Sequence, residues 1–513
     1  MSLLRTLLAH TAIYGLSSIL GRVINWLLTP LYVHRFPVED FGILSDLYAL
    51  LIFVQILLTF GMETSFFFFS RKESDDQPNS YGHAFALVLV LTVVCSLGCM
   101  VAYSPLAGAL GYAERPELVL LLVPIFAFDA LAALPMARLR YLEKPVRFAT
   151  ISLVNIGLTL ALNLYWVAVL GWGVEYVLLA NVVASGLRLM MALYGNVPQL
   201  GHLSRERIRQ MYRYGSLIAV AGLLGAINEG IDRNLLPRLW TTDRTFEEKI
   251  HTGLALTGIY SAMYKIAMFI ALLTQAFRYA VEPLVFRRVG HSQPDRETLA
   301  ALFHYYGLTC LAAFLLVGSF AYELVSFDAF GWSSRTLIPK AYWMGLAVLP
   351  LLLGANVLFG LYQQAAMWYK LSGQLRFGLI YAAAGAAITL GLNVVLIPHF
   401  GYYACGFATL ICYALMLILC LHGSQQHYPI PYKLKRLRSY ALVVLMAWGL
   451  NWLIYLRGLT EFPHTMLKLV ICLLALGIVW RVERKYPPFP GLFGKGIGQH
   501  QDAQPIDPDA GKT

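Results

Sequence analysis

Residues 213–240 read RYGSLIAVAGLLGAINEGIDRNLLPRLW, and after a short polar break residues 258–288 read GIYSAMYKIAMFIALLTQAFRYAVEPLVFRR. Both stretches are apolar for about the 20 residues that a helix needs to cross a bilayer. Both also carry charged side chains inside the apolar pattern: Glu229, Asp232, Arg233, Lys265 and Arg278. A charge at membrane depth costs about 2.5 kcal/mol or more unless it is paired or lines a wet cavity. The two stretches therefore predict a membrane protein with a polar internal cavity, as transporters have.

The composition places the whole chain among membrane proteins. Of its 513 residues, 58% are hydrophobic and 13% are charged, whereas soluble proteins carry about 25% charged residues. Because no water is present in the bilayer core, we expect every spanning segment to be a helix. The fold class predicted is an all-α polytopic membrane protein with about 14 transmembrane helices. We place them near residues 7–34, 41–69, 81–104, 117–136, 146–170, 173–196, 208–238, 252–280, 300–327, 336–365, 375–398, 401–422, 439–457 and 464–481.

Lysine and arginine are unevenly distributed between the connections of these helices. The connections after the even-numbered helices carry roughly three times as many as the others, and basic connections face the cytoplasm. Both termini are therefore predicted to be cytoplasmic. The net charge of +11 is explained by contact with anionic membrane lipids, and no nucleic acid is expected as a partner. The seven cysteines lie mostly in apolar runs without metal-ligand spacing, so no metal is expected.

Short motifs recur along the chain and indicate a duplication. The pattern GIxSxxY at residues 42–48 returns at residues 258–264, and TLxLN at residues 159–163 returns at residues 389–393. Six helices bring the chain back to its starting side, so the two copies are parallel repeats. We therefore expect two six-helix lobes with a cavity between them. The predicted units are an N-terminal lobe (1–200), a C-terminal lobe (201–424), two extra helices (425–486) and a disordered cytoplasmic tail (487–513).

Several of these stretches carry a family resemblance. Asp232-Arg233-Asn234 followed by Leu-Leu-Pro, the later GIYSAxYK, and the Glu282-Pro283 helix end resemble the polysaccharide transporter family. The stretch 392–415, LNVVLIPHFGYYACGFATLICYAL, is similar to that family's asparagine, Ile-Pro, glycine and Ala-Thr pattern, and departs from it at Cys405. The family is part of the multidrug/oligosaccharidyl-lipid/polysaccharide exporter superfamily.

The resemblance implies a function and a place for the protein. Members of the family flip a polyprenyl-diphosphate-linked oligosaccharide from the cytoplasmic to the outer leaflet by alternating access, driven by an ion gradient. It implies a bacterial cell inner membrane protein of O-antigen, capsule or other polysaccharide synthesis, with polysaccharide polymerase machinery as a partner. No cofactor is expected, and the coupling ion is left open between H⁺ and Na⁺.

Cations near the middle of the apolar segments are the candidates for the diphosphate. A guanidinium offers a fork of donors that matches phosphate oxygens. The predicted substrate-binding residues are Arg22, Asn25, Arg233, Lys265 and Arg278. The alternative for each cation is an ion pair within the membrane, between the lobes.

Carboxylates in the same segments are the candidates for ion coupling, because a desolvated carboxylate can carry a proton across the cycle. They are Asp46, Glu63, Glu229 and Asp232. The alternative for Asp232 is neutralisation by Arg233 or by an arginine on a neighbouring helix. Five other charged residues are interpreted as lying near helix ends and reaching towards the membrane surface: Asp129, Glu175, Arg188, Glu323 and Lys468.

Enzyme activity is not predicted. The sequence contains no G-x-x-x-x-G-K-[ST] phosphate loop, so we expect no ATP-driven step. The longest outer connection, residues 239–251, is too short for a folded catalytic domain. Two alternatives stay open: a drug or small-molecule exporter of the same superfamily, and a membrane glycan-assembly enzyme. A cationic cavity favours a diphosphate, whereas an acidic cavity favours cationic drugs.

The two extra helices form either a groove for the lipid tail or a peripheral anchor.

Overall fold

The computed structural model describes residues 20–24, 26–70, 79–201, 203–240, 246–288, 296–327, 336–458 and 462–486. The predicted cytoplasmic tail and the first part of the first predicted helix lie outside these ranges. Almost every described residue is helical, and no strand occurs among them. The prediction of an all-α polytopic membrane protein is thereby confirmed.

The helices follow one another with short connections. The first half contains α1 (residues 20–24 and 26–35), α2 Val38–Thr59, α3 Met62–Ser70, α4 Ser80–Val101, α5 Tyr103–Leu110, α6 Glu117–Tyr141, α7 Pro145–Asn163, which continues as a π-helix Leu164–Val169, α8 Val174–Leu193 and α9 Arg205–Leu239. The second half contains α10 Phe246–Arg288, α11 Arg296–Ser319, α12 Ala321–Ser326, a 3₁₀-helix Lys340–Ala347, α13 Leu349–Ala365, α14 Met367–Leu371, α15 Arg376–Phe400, α16 Tyr402–His427, α17 Leu434–Leu456 and α18 Phe462–Lys485.

Within the described ranges, 12 helices or helix pairs are long and apolar enough to cross a membrane. A thirteenth span results if Lys340–Ala347 and Leu349–Leu371, which meet at a bend of 58°, form one broken span. The first predicted helix is only partly described, so the count of 14 stays a prediction. We use "predicted outer end" and "predicted inner end" for the two ends of the bundle that the lysine and arginine distribution assigns.

The span Val38–Ser70, which α2 and α3 form together, is interrupted where α2 ends. Phe60 and Gly61 both take left-handed backbone conformations, with φ of 46° and 67°, and α3 begins directly after them. A Cβ atom on Gly61 would lie 2.7 Å from the backbone oxygen of Gly215 in α9. Beside this close approach the rings of Phe60 and Tyr212 stack with centroids 4.7 Å apart. The break therefore brings α3 against α9 near the predicted inner end of the bundle.

The helices form two groups that meet along α2, α9 and α10. In the first group α6 packs against α4 and α8, and α7 packs against α8; in the second α13 packs against α10, α11 and α16, and α15 against α9 and α16. The two groups contact each other chiefly where α2 crosses α10 and α9. This arrangement fits two lobes, while the duplication and the lobe boundaries stay predictions.

Glycines set the closest approach between the two groups. A Cβ atom added to Gly42 of α2 would lie 1.8 Å from the backbone oxygen of Leu254 in α10, and one added to Gly258 would lie 2.2 Å from the oxygen of Val38. Small residues let helix backbones approach in this way inside a membrane, where packing replaces the hydrophobic effect. Gly42 and Gly258 are the first residues of the two GIxSxxY motifs, so the motif copies meet at this crossing.

The two C-terminal helices are held on α11 and α12 by polar contacts. Near the predicted outer end Asn451 of α17 donates to the Ser319 hydroxyl at 2.9 Å, and the Lys468 amine of α18 lies 2.8 Å from Glu323. Near the predicted inner end Glu483 of α18 lies 2.6 Å from His304 of α11. This packing fits an anchored helix pair, and the groove for a lipid tail stays a prediction.

Candidate functional site

A cavity of about 460 Å³ lies at the centre of the bundle, where α1, α2, α7 and α8 face α9 and α10. We call it the central cavity. The fourth and seventh residues of the two GIxSxxY motifs supply opposite walls: Ser45 and Tyr48 from α2, Ser261 and Tyr264 from α10. The glycine of the repeated motif thus allows the two helices to cross closely, and its serine and tyrosine provide polar groups beside the crossing.

Arg233 enters the central cavity from α9. Its guanidinium carbon lies 4.1 Å from the centre of the Tyr264 ring, which is a cation–π contact. The terminal nitrogen Nη2 is buried and has no hydrogen-bond partner in the described part of the chain. A buried donor without a partner is rare in folded proteins and indicates a place for a ligand or an ordered water.

Lys265 lines the same cavity from α10, one residue after Tyr264. Within the described residues, no carboxylate forms an ion pair with Lys265 or with Arg233. Glu229 lines the cavity from α9 with an exposed side chain. The lining of the central cavity therefore holds two cations and one carboxylate, and neither cation is neutralised by direct contact.

Asp232 is next to Arg233 in the chain but is directed away from the cavity. Its carboxylate is buried and accepts hydrogen bonds from the Tyr260 hydroxyl and from the backbone N–H of Arg233, the latter at 2.9 Å. The side chain of Asp232 thus bonds to α10 instead of pairing with the Arg233 guanidinium. This arrangement leaves the guanidinium available to the cavity.

Asp46 of α2 lies in a cluster near the predicted outer end. Its carboxylate accepts from both terminal nitrogens of Arg238, at 2.8 and 3.0 Å, and from the Asn234 amide at 2.7 Å. The Tyr112 hydroxyl donates to the second carboxylate oxygen at 2.5 Å. Asp46 is 0% exposed, so each of its oxygens is satisfied by protein donors, and α9 is fixed to α2 at this end.

Tyr112 lies in the connection between α5 and α6. Burial, together with the negative charge of Asp46, raises the pKa of the Tyr112 phenol well above its usual value. The phenol therefore stays protonated at any physiological pH and serves the cluster as a donor. Its contact with Asp46 joins the connection to α2.

A second cavity, of about 660 Å³, extends from the central cavity between α2, α6, α7 and α8. We call it the inner vestibule. Tyr48, Ile52 and Asn181 line both cavities, so the two spaces adjoin. The vestibule is lined by two ion pairs, Glu63 with Arg140 and Asp129 with Arg188, the latter at 3.4 Å.

The structure corrects the interpretation of Asp129, Arg188 and Lys468 as lying near helix ends and reaching towards the membrane surface, whereas Glu175 and Glu323 do lie in the first turns of α8 and α12. Each of them has a partner: Asp129 and Arg188 pair with each other, Glu175 with Arg115 at 3.2 Å, and Glu323 with Lys468. Lys468 is 0% exposed, the opposite of what reaching the surface requires. For Asp129, Arg188 and Lys468 the charge is stabilised by a partner on another helix.

The other three predicted substrate-binding residues either do not line the central cavity or lie outside the described residues. Arg22 has an exposed side chain on α1, next to Gly21, which lines the central cavity. Asn25 and the side chain of Arg278 lie outside the described residues. Of the predicted substrate-binding residues, the structure thus brings Arg233 and Lys265 together in one cavity.

Sequence reasoning missed Arg238 and the Asp129–Arg188 pair. Arg238 is the last residue of the predicted helix 208–238 and is not among the predicted site residues, but α9 continues to Leu239 and places it against Asp46. The available signal was helical spacing: Asn234 and Arg238 are four residues apart and therefore share a helix face. The partner, Asp46, is 192 residues away and leaves no local pattern.

The sequence of the chain matches a known protein family. A family model described as "Polysaccharide biosynthesis protein" matches residues 36–327. No curated protein matches the chain significantly.

Solved structures share the fold along most of the chain. A "Lipid II flippase MurJ, inward closed conformation" is 12% identical with a TM-score of 0.71, over 92% of this chain and 99% of that one. An inward-facing "multidrug resistance MATE family transporter of the MOP superfamily" is 14% identical with a TM-score of 0.58, over 81% of this chain and 94% of that one. "MATE in the straight conformation" is 15% identical with a TM-score of 0.53, over 82% and 95%. These likenesses establish the fold.

Proposed function

The chain belongs to the polysaccharide biosynthesis protein family, and from that premise we propose that it is a flippase for a polyprenyl-diphosphate-linked oligosaccharide. The membrane is proposed to be a bacterial cytoplasmic membrane, with both termini on the cytoplasmic side, as the lysine and arginine distribution indicates. The fold shared with flippases and exporters favours a transporter over an enzyme. Polysaccharide polymerase machinery is proposed as a partner.

One observation carries the proposal: Arg233 and Lys265 have no carboxylate partner among the described residues. Four other cations in or beside the spanning helices do have one: Arg140, Arg188, Arg238 and Lys468. Because an unpaired charge at membrane depth is costly, two such charges in one cavity favour an anionic ligand there. A diphosphate carries that charge and accepts from the guanidinium fork and the amine together.

The surroundings of the central cavity support alternating access. Asp46 and Arg238 join α2 to α9 at the predicted outer end, and the Gly61–Gly215 approach with the Phe60–Tyr212 stack joins the same two helices near the predicted inner end. Alternating access requires contacts at the two ends that form and break in turn. The polyprenyl tail is apolar and too long for the cavity, so it is proposed to stay in the lipid.

Coupling to H⁺ or Na⁺ is proposed at Glu229. Of the four predicted coupling carboxylates, Glu229 is the one that lines the central cavity beside the two cations. Asp46 and Glu63 are bound by arginines and Asp232 by Tyr260. A cation that binds Glu229 removes the one negative charge of the lining, so its binding favours diphosphate binding and its dissociation favours diphosphate release.

Export of drug cations is the second candidate, and Glu229 together with the shared fold of drug transporters favours it. The two cavity cations oppose it, because they repel a cationic drug. Arg233 and Lys265 lie on adjacent helices facing one space, so their repulsion acts on any ligand bound there.

The experiment is translocation by the purified protein in proteoliposomes. A fluorescent short-chain prenyl-diphosphate oligosaccharide is placed in both leaflets, and the fraction that an external quencher cannot reach is followed with time. We expect exchange between leaflets with the wild-type protein, and a change of its direction when an H⁺ or Na⁺ gradient is imposed. Absence of exchange, together with uptake of an organic cation such as ethidium, would support the drug exporter instead.

A further inference from the structure

We propose that the inner vestibule is the binding site for the sugar units of the substrate, and that it recognises neutral, hydroxyl-rich rings. This inference rests on the function proposed above. It divides the substrate between two spaces, with the diphosphate at Arg233 and Lys265 and the glycan beside Asp129 and Arg188.

The charge balance of the two cavities differs. The vestibule contains two carboxylates and two guanidiniums in direct pairs, so their formal charges cancel. The central cavity contains two unpaired cations and Glu229. An anion gains from unpaired cations, whereas a neutral polyhydroxyl ligand needs hydrogen-bonding groups without net charge. The vestibule provides that second kind of surface.

The vestibule groups keep unused hydrogen-bonding capacity. Asp129 and Arg188 meet through one oxygen and one nitrogen at 3.4 Å, and their side chains are 31% and 30% exposed. The Ser185 hydroxyl also lies within hydrogen-bonding reach of Asp129. The carboxylate lone pairs and guanidinium N–H groups that these contacts leave unused can accept from and donate to a ligand. Gln55 adds an amide to the lining, and Arg140 has a buried Nε without a hydrogen-bond partner in the described part. Sugar hydroxyls both donate and accept, so they suit this mixture.

The position of the vestibule fits the order of groups in the substrate. A polar stripe along one face of α2 continues into α3: Ser45 and Tyr48 line the central cavity, and Gln55, Thr59 and Glu63 line the vestibule. From Ser45 to Glu63 this stripe extends roughly 25 Å at 1.5 Å per helical residue. A diphosphate bound beside Tyr48 therefore places the sugar attached to it at the entrance of the vestibule.

The test compares two probes by their binding to purified protein in detergent: farnesyl diphosphate, and farnesyl diphosphate carrying a neutral hexose disaccharide. We expect the wild-type protein to bind the glycosylated probe about tenfold more tightly. Asp129→Asn combined with Arg188→Gln removes both charges at once, so no unpaired charge is left. That double variant should lose the tenfold preference and keep its affinity for farnesyl diphosphate.

The matched control changes Asp40→Asn, Glu175→Gln and Arg115→Gln together, because Arg115 pairs with both carboxylates, at 2.8 and 3.2 Å. This cluster has similar exposure but lies at the predicted outer end and lines neither cavity. It should keep the preference for the glycosylated probe. If the double variant does not fold, Gln55→Met, which changes no charge, takes its place. It should also reduce the preference for the glycosylated probe and keep its affinity for farnesyl diphosphate.

The outcomes separate the two proposals. If the vestibule variants keep the tenfold preference, or if the wild type shows none while binding both probes, the vestibule is not the sugar site and the proposed function stands. If the wild type binds neither probe, the proposed function fails, and the assignment of the vestibule fails with it. If Arg233→Ala loses both probes while the vestibule variants lose only the sugar-dependent part, both proposals are supported.

Discussion

Arg238 of α9 binds both carboxylate oxygens of Asp46 in α2, at 2.8 and 3.0 Å, across the junction of the two helix groups. The guanidinium is held in place by the backbone oxygen of Leu110 at 3.2 Å as well. A bidentate pair of this kind is directional, and it is lost as soon as the two helices separate. It therefore favours the state in which the predicted outer end is closed.

Arg238→Gln should weaken this closure. Removing one partner of a buried pair costs on the order of 3 kcal/mol, about a hundredfold in the equilibrium between closed and open. We expect Ser45→Cys, in the central cavity, to react with a membrane-impermeant maleimide from the outside much faster in the Arg238→Gln background. The Arg238→Gln protein without the added cysteine controls for the native thiols. Equal labelling rates would show that the pair does not control access.

Arg233→Ala should abolish translocation without loss of protein abundance. It removes a charge-assisted contact with the diphosphate, worth about 1.5–3 kcal/mol, so binding of farnesyl diphosphate should weaken between tenfold and a hundredfold. Arg233→Lys should retain part of the activity, because it keeps the charge and loses the planar fork. Arg22→Ala is the comparison: its side chain is exposed and not part of the cavity lining, so its effect should be smaller. Binding by Arg233→Ala at the wild-type level contradicts the assignment.

Gly42→Ala should destabilise the protein, although the substitution adds a single methyl group. The new Cβ would lie 1.8 Å from a backbone oxygen of α10, so the two helices would be forced apart, at a cost of about 1–3 kcal/mol. Gly391→Ala in α15 is the control, because nothing lies within 4 Å of a Cβ there and alanine is the better helix former. Thermal unfolding in detergent should show a lower Tm for Gly42→Ala and an unchanged or higher Tm for Gly391→Ala. The same Tm for both variants would mean that α2 and α10 can separate freely.

Lys468→Met should loosen α18 from the rest of the protein. It leaves Glu323 without its cation, and breaking a buried pair costs about 3 kcal/mol. Adding Glu323→Gln should restore most of the lost stability, because no charge is then left uncompensated. The measurement is the Tm of the wild type, both single variants and the double variant as a cycle. A double variant no more stable than Lys468→Met would show that the pair does not hold α18.

The spanning helices and their order could be predicted from the sequence because they depend on local properties. The segments near 208–238 and 252–280 agree to within a few residues with α9 and with His251–Phe277, the membrane-spanning part of α10. Apolar runs of sufficient length form helices in a bilayer whatever their neighbours do. The same holds for Arg233 and Lys265, since an ionisable residue in such a run is exceptional on its own.

The partners of the charged residues could not be predicted, because they depend on how helices distant in sequence pack. Lys468 was interpreted as reaching the membrane surface, yet it lies against Glu323, 145 residues away. Arg188 was interpreted in the same way and faces Asp129 across the inner vestibule. A single sequence shows that a charge is costly at its position, and the structure shows which helix compensates that cost.

The same cluster around Asp46 has a consequence for how the protein is made. The ribosome synthesises Arg238 192 residues after Asp46, which at about 5–20 residues per second is a delay of roughly 10–40 seconds. During that interval α2 has already been delivered to the membrane, and the Asp46 carboxylate has no Arg238 to pair with. Tyr112 is synthesised only 66 residues after Asp46 and donates a hydrogen bond to it in the finished protein. A nascent chain that lacked the Tyr112 hydroxyl would therefore hold Asp46 without this donor until Arg238 is synthesised.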